Sequence, residues 1–163
     1  MTTKIKAVEL PPSFIRIDKE GVWYYRGNEM FRKDIVKLFY ENLKRDEQGN
    51  YYIELENDLA SLEVEDAAYV VTAVYKLGSN DEGNERISVL LNDETLEELD
   101  CGSLRIEDNN VLYCTVKPVG HKARFLRASY YQIAEYFDYD DAGDSYFLPL
   151  NGARYYIKNH SSR

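Results

Sequence analysis

Sulfur and imidazole are scarce in this chain. Its 163 residues hold two cysteines, Cys101 and Cys114, and two histidines, His121 and His160. Twelve residues separate the cysteines, and neither histidine stands at ligand spacing from them, so the zinc-binding patterns are missing. No metal and no cofactor is expected. A chain of this length can bury a core without staples, so both thiols are read as reduced. Basic residues are outnumbered, 20 Lys and Arg against 29 Asp and Glu, which gives a net charge of -9. That excludes nucleic acid, whose phosphates are held by clustered cations, and an anionic membrane surface. Long apolar runs are missing too, so no membrane span is expected. The start, MTTKIKAVELPP, lacks the apolar core of a secretion leader, and a cytoplasmic location is expected. The sequon Asn159-His160-Ser161 then carries no meaning.

Catalytic signatures are equally sparse. There is no Gly-x-Ser-x-Gly, no Cys-x-x-Cys and no glycine-rich phosphate loop. His121 falls in VGHKAR, which reads as a solvated hairpin turn, and His160 lies three residues from the end. The loop DYDDAGD (138–144) matches a calcium loop at Asp138, Asp140 and Gly143. It fails at Ala142 and Pro149, where oxygen ligands are required.

What the chain does have is tyrosine, fifteen of them, often in adjacent pairs. GVWYYRG (21–27) sets Trp23, Tyr24 and Tyr25 side by side. Neighbours on a strand point to opposite faces, so Trp23 and Tyr25 share one face and Tyr24 takes the other. The stretch is therefore read as a strand that feeds a core, with Trp23 buried against Phe31, Leu38 or Leu55.

Residues 1–13 read as a tail stopped by Pro11-Pro12. FIRID (14–18) and VWYY (22–25) form a hairpin, and Asn28 reads as a helix N-cap. Phe31, Ile35, Leu38, Phe39 and Leu43 make one apolar helical stripe. Strands are expected over 51–56, 61–65, 69–77 and 86–91, with 92–99 either a helical turn or an irregular connection. LRIEDNNVLYC (104–114) then repeats the pattern of IRIDKEGVWYY (15–25). A second helix follows, opened by a capping box over Ser129-Tyr130-Tyr131-Gln132. The order hairpin, helix, acidic turn, strand occurs twice. It reads as an internal duplication, or as two unrelated segments that share turn chemistry. The fold class is α+β, mostly antiparallel β with two helices. Its expected units are 14–101 and 102–158, with a C-terminal tail over 159–163.

Residues 21–67, from GVWYYRG through the Arg-led helix and the Tyr-rich strand to Val64-Glu65-Asp66-Ala67, resemble the bacterial family known as domain of unknown function 1285. LRIE (104–107), the helix near 129–137 and FLPL (147–150) resemble it more weakly. Ala68, where proline is expected, and Leu91-Asn92-Asp93, where Thr-Asn is expected, depart from its pattern. The resemblance implies a bacterial cytoplasmic α+β protein and no known reaction.

Arg32 and Arg127 hold equivalent places in the two repeats, each opening a helix, where a cation opposes the helix dipole. Two readings follow. Each arginine is a tether, Arg32 to Glu63, Glu65 or Asp66 and Arg127 to Glu107 or Asp108, or it lines a ligand cleft beside Tyr24, Tyr130 or Tyr131. The expected ligand-binding set is therefore Arg32, Arg127, Tyr24, Tyr130, Tyr131, Glu65 and Asp66. The function expected is a non-catalytic binding or regulatory module for a small molecule or protein, with homodimerisation an option. The alternative is a small-molecule hydrolase using Asp and Glu as acid and base.

Overall fold

The computed structural model describes residues 4–79 and 81–159. The chain divides into two compact units, meeting in sequence between Asp66 and Ala67.

The first unit opens with a single 3-10 turn, Ala7–Glu9, followed by β1, Pro12–Ile17. The expected tail is thus structured well before residue 13. Ala7 is 1% exposed, and its N–H donates to Asp46 Oδ2 at 2.8 Å. Then come β2 (Trp23–Tyr25) and β3 (Asn28–Glu29). Asp18 shapes the β1–β2 turn, its Oδ1 accepting from the N–H groups of Glu20 and Val22. The β2–β3 turn is Arg26-Gly27, both at positive φ (49° and 83°), the backbone of a tight two-residue hairpin. Asn28 therefore belongs to a strand and caps nothing. The helix α1 runs Lys33–Glu41, with Arg32 at its N-cap. It is followed by β4 (Leu43–Arg45), β5 (Tyr51–Leu55) and β6 (Asp58–Val64). These strands form one sheet in the order β3-β2-β1-β6-β5-β4.

Trp23 is buried, at 2% exposure, as the strand alternation requires. Its aromatic neighbours come from further along the chain than Phe31. Phe39 and Tyr40 of α1 lie against it, with ring centroids at 6.0 and 4.8 Å. Phe31 is 80% exposed, because the helix begins two residues after it and the helical period does not apply there. Leu38 is 45% exposed, and Leu43 has already entered β4.

The second unit begins with β7 (Tyr69–Leu77), β8 (Arg86–Leu91) and β9 (Leu96–Glu98). A 3-10 turn at Cys101–Ser103 precedes β10 (Arg105–Ile106), β11 (Leu112–Val116) and β12 (His121–Phe125). Next come α2 (Arg127–Ala134), β13 (Asp138–Asp140), β14 (Ser145–Leu150), β15 (Ala153–Tyr156) and β16 (Lys158–Asn159). Seven strands form a sheet in the order β16-β10-β11-β12-β7-β8-β9, and β13-β14-β15 form a separate one. A boundary after Cys101 differs from this division, because β7–β9 are hydrogen-bonded into the sheet of β10–β12. Asn159 lies in a strand, and His160 with the rest of the expected tail lies outside the described residues. Two helices on mixed, mainly antiparallel sheets make the fold α+β.

The expected capping box does not form. Ser129 lies inside α2, and its hydroxyl donates to Val71 O at 2.6 Å. Gln132 Oε1 accepts from Val74 N at 2.7 Å. Both side chains tie the helix to β7 instead of closing its end.

The two hairpins do repeat in register. Arg16 pairs with Tyr24 and Ile17 with Trp23, as Arg105 pairs with Tyr113 and Ile106 with Leu112. Beyond the helices the orders part. β4 and β5 return to the sheet of their hairpin, whereas β13–β15 form a sheet of their own. A duplication of the whole unit is not confirmed.

Candidate functional site

The first unit contains an irregularity that opens space. β1 and β6 run parallel, pairing Pro12 with Ser61 and then Arg16 with Glu63. Between those contacts β1 places Ser13, Phe14 and Ile15 where β6 places Leu62 alone. The excess bulges out at Phe14, whose φ is 65° inside a strand. The left-handed region is unfavourable for an aromatic residue, by about 1–3 kcal/mol, and such strain gathers at functional sites. Two hydrogen bonds hold the bulge: Ile15 N donates to Ser13 Oγ at 3.1 Å, and Arg26 N donates to Phe14 O at 2.9 Å.

Beside the bulge lies a trough of about 760 Å³, lined by residues of the first unit that include Phe14, Arg16, Arg26, Asn50, Glu63 and Asp66. That volume falls within the range of about 300–1,000 Å³ typical of small-ligand sites. Phe14, 51% exposed, stands at it with the Arg26 guanidinium 4.2 Å from its ring centroid. Arg26 Nε donates to the Tyr25 hydroxyl at 3.0 Å. Its terminal nitrogens meet no acceptor among the described residues. Arg16 stacks on Tyr24, 4.5 Å from the ring centroid, and its carboxylate contact, Glu65, lies 3.7 Å away. Desolvation, reinforced by Asp18, raises the Tyr24 pKa; the phenol stays protonated and donates to Asp18 Oδ2 at 3.2 Å. Two guanidiniums thus border one concavity, each resting on an aromatic ring and only weakly neutralised. Such a pair can receive a carboxylate or phosphate.

The residues singled out from sequence are dispersed. Tyr24 and Glu65 meet at Arg16, and Asp66 lines the trough. Glu65 also accepts from Lys19 N at 3.2 Å. Arg32 does not reach Glu63, Glu65 or Asp66. It is exposed and pairs with Asp34 in a two-pronged contact of 3.0 and 2.8 Å. The cause is local: with Arg32 at the N-cap, Asp34 sits in the first turn and is the nearest carboxylate. Arg127 opens α2 in the second unit, exposed, with no ion pair to Glu107 or Asp108; Lys122 and Arg105 take Glu107. Tyr130 and Tyr131 share that helix, 37% and 60% exposed. Sequence reasoning missed Phe14, Arg16 and Arg26. A bulge has no signature in hydrophobic alternation, although the run Arg26-Gly27 did mark the adjoining turn.

The second unit contains a denser ionic cluster. Lys117 Nζ donates to Asp93 Oδ2 at 2.7 Å and Thr95 Oγ1 at 2.8 Å, and lies 3.1 Å from Glu97 Oε2. All three ammonium hydrogens are engaged, which makes the cluster a tether between turns. Burial pushes the Asp93 carboxyl up, but the hydrogen bonds from Lys117 and Thr95 outweigh it and hold the pKa below the usual value. His121 is not a solvated turn residue. It begins β12, is 4% exposed, and lies against the Tyr69 ring at 5.4 Å.

Both cysteines are free and buried. Burial pushes the Cys101 thiol up to about 11 and the Cys114 thiol up to about 12, so neither is a nucleophile near neutral pH. Asp140 is spent on the 141–144 turn and on the Tyr156 hydroxyl. Among the described residues no cluster of three or more His, Cys, Asp or Glu side chains is arranged to hold a metal ion. No described helix is long and apolar enough to cross a membrane.

Residues 10–67 match the family model for the N-terminal domain of DUF1285, a domain of unknown function, and make up most of the first unit. A crystal structure of a DUF1285 family protein from Silicibacter pomeroyi DSS-3 superposes with a TM-score of 0.74 at 20% identity. It covers 99% of this chain and 90% of that one. A second, from Shewanella baltica OS155, gives a TM-score of 0.64 at 20% identity, over 77% of this chain and 94% of that one. No curated protein matches the chain. The resemblance carried by GVWYYRG and the stretch after it is matched by these findings: residues 10–67 are similar to the DUF1285 N-terminal domain, and the chain has the fold of solved DUF1285 proteins.

Proposed function

We propose that this chain is a non-catalytic bacterial cytoplasmic binding or regulatory module whose ligand, an anionic small molecule, occupies the trough of the first unit. The observation that carries the reading is the bulge at Phe14. It opens β1 from β6 and stations Arg26, with unengaged terminal nitrogens, at the resulting concavity. In a chain of net charge -9, Arg26, left without a carboxylate partner among the described residues, is conspicuous, because acidic side chains are plentiful. Arg16 and Arg26 bind the anion, Phe14 and Tyr24 support them, and Glu65 and Asp66 set the polar rim. Arg127, Tyr130 and Tyr131 on α2 offer a separate surface in the second unit.

The test is the small-molecule content of the protein purified from its native host. Mass spectrometry of the denatured sample should find one anionic compound in near-stoichiometric amount, absent from Arg26→Gln purified in the same way. Identical content in the two samples would refute the reading. A second reading, the hydrolase, rests on Glu63 and Asp66 both lining the trough. Turnover of the bound compound by the wild type and not by Glu63→Gln would establish it over the first.

A further inference from the structure

A second concavity in the first unit is of opposite character. It has a volume of about 460 Å³ and lies under the segment that leads into α1, lined by Ile15, Tyr25, Met30, Phe31, Ile35 and Phe39. Ser13 and Arg32 stand at its margin, and Arg32 is already engaged by Asp34. This groove explains the failed helical stripe. Phe31 and Ile35, expected in the core, form its wall, and Phe31 is the most exposed large apolar side chain described. An apolar surface of this kind, rimmed by polar residues, marks a binding groove.

Its occupant is indicated by what adjoins it. Ile15 lines both the groove and the trough. Tyr25 lines the groove and Arg26, the next residue, lines the trough, with Arg26 Nε bonded to the Tyr25 hydroxyl at 3.0 Å. An apolar groove therefore adjoins, through Ile15 and Tyr25, a guanidinium whose terminal nitrogens are open. A purely apolar ligand would leave that guanidinium unused, and a short anion would leave the groove wet. We propose that groove and trough are the tail and head compartments of one site for a free aliphatic carboxylate, with the carboxylate on Arg26 and the chain along Met30, Phe31, Ile35 and Phe39. This rests on the trough being the ligand site and adds the chemical class.

The structure supplies its own reporter. Trp23 is the single tryptophan of the chain, and its ring lies 6.0 Å from that of Phe39 in the groove wall. The experiment titrates the full-length protein with sodium dodecanoate at monomeric concentration, with sodium butyrate, and with dodecyl maltoside below its micellar concentration. Trp23 emission and calorimetry are followed. Dodecanoate should bind one to one, shift the emission, and bind about a hundredfold tighter than butyrate, since several buried methylenes are added. Arg26→Gln should weaken dodecanoate by at least about tenfold, the loss of a charged hydrogen bond. Phe31→Glu, a change at an exposed position that leaves folding intact, should weaken dodecanoate and leave butyrate unchanged. Butyrate binding equal to dodecanoate, lost in Arg26→Gln, would overturn the tail compartment and leave the anion trough standing. Absence of binding by either carboxylate would overturn both. Dodecyl maltoside binding as tightly as dodecanoate would overturn the assignment to a free carboxylate.

Discussion

Trp23 is enclosed by Phe39 and Tyr40, yet its indole Nε1 is buried without a hydrogen-bond partner among the described residues. Packing and polarity therefore oppose each other at one side chain. Trp23→Ala should cost about 3–5 kcal/mol, the range for core truncation. Trp23→Phe should cost clearly less, because it keeps a ring and removes the orphaned donor. Urea denaturation measures both, and an emission maximum typical of water-exposed indole in the native protein would contradict the burial. Phe14 presents the reverse case, since its backbone is strained and its side chain half exposed. Phe14→Gly relieves the left-handed penalty of about 1–2 kcal/mol per residue while adding unfolded-state entropy of about the same size. The melting temperature should stay nearly unchanged while anion binding falls. A large loss of stability would show that the ring is there for packing. Burial of Trp23 was legible in sequence, because strand alternation fixes the face it takes. The strain at Phe14 was not, since φ follows from strand register and register follows from the whole sheet.

At the scale of elements, the hairpins were legible and the helix contacts were not. Lys19-Glu20-Gly21 announces the first turn, and Arg16 opposite Tyr24 recurs as Arg105 opposite Tyr113. The helix ends were misread for two different reasons. Asn28 is taken by a two-residue hairpin, and the Ser129 hydroxyl turns to Val71 O of β7, with a second contact to Leu126 O, instead of capping first-turn N–H groups. Tertiary hydrogen bonds outbid the local ones there, and sequence spacing cannot display that competition. The same holds for Lys117, which ties the β11–β12 turn to the segment between β8 and β9 through Asp93 and Thr95, and to β9 through Glu97. Lys117→Met should leave Asp93, whose side chain is 7% exposed, without its cation. The expected cost is about 1–3 kcal/mol, that of a desolvated group left unpaired. It should fall short of a fully buried pair because the lysine keeps some contact with water. Thermal unfolding decides this, and an unchanged melting temperature would show that the cluster is incidental.

For the molecule as a whole, the same cluster sets an expectation for pH. Hydrogen bonds hold the Asp93 pKa below its ordinary value, so its contribution is present above about pH 3.9 and is lost as pH falls through the lower folded value. The pKa of Lys117 is raised by its carboxylate partners against desolvation, so its contribution is complete below about pH 10.4 and is lost as pH rises through the higher folded value. The contribution of this cluster should be flat between those limits and fall on both sides, and Lys117→Met should lessen the loss above about pH 10.4; the two buried thiols, pushed up to about 11 and about 12, add a decline of stability that begins as pH rises past about 8.5. The α+β class and the likeness to DUF1285 were legible from strand-rich patterning and from GVWYYRG, but the trough was not, because a cavity belongs to no single segment. Its location is tested most directly by amide NMR of the protein titrated with butyrate, the smallest probe of the anion site. The shifts should cluster on Phe14, Arg16, Arg26, Gly27 and Asn50. Shifts confined to α2 around Arg127, Tyr130 and Tyr131, or no shifts at all, would contradict the assignment of the trough.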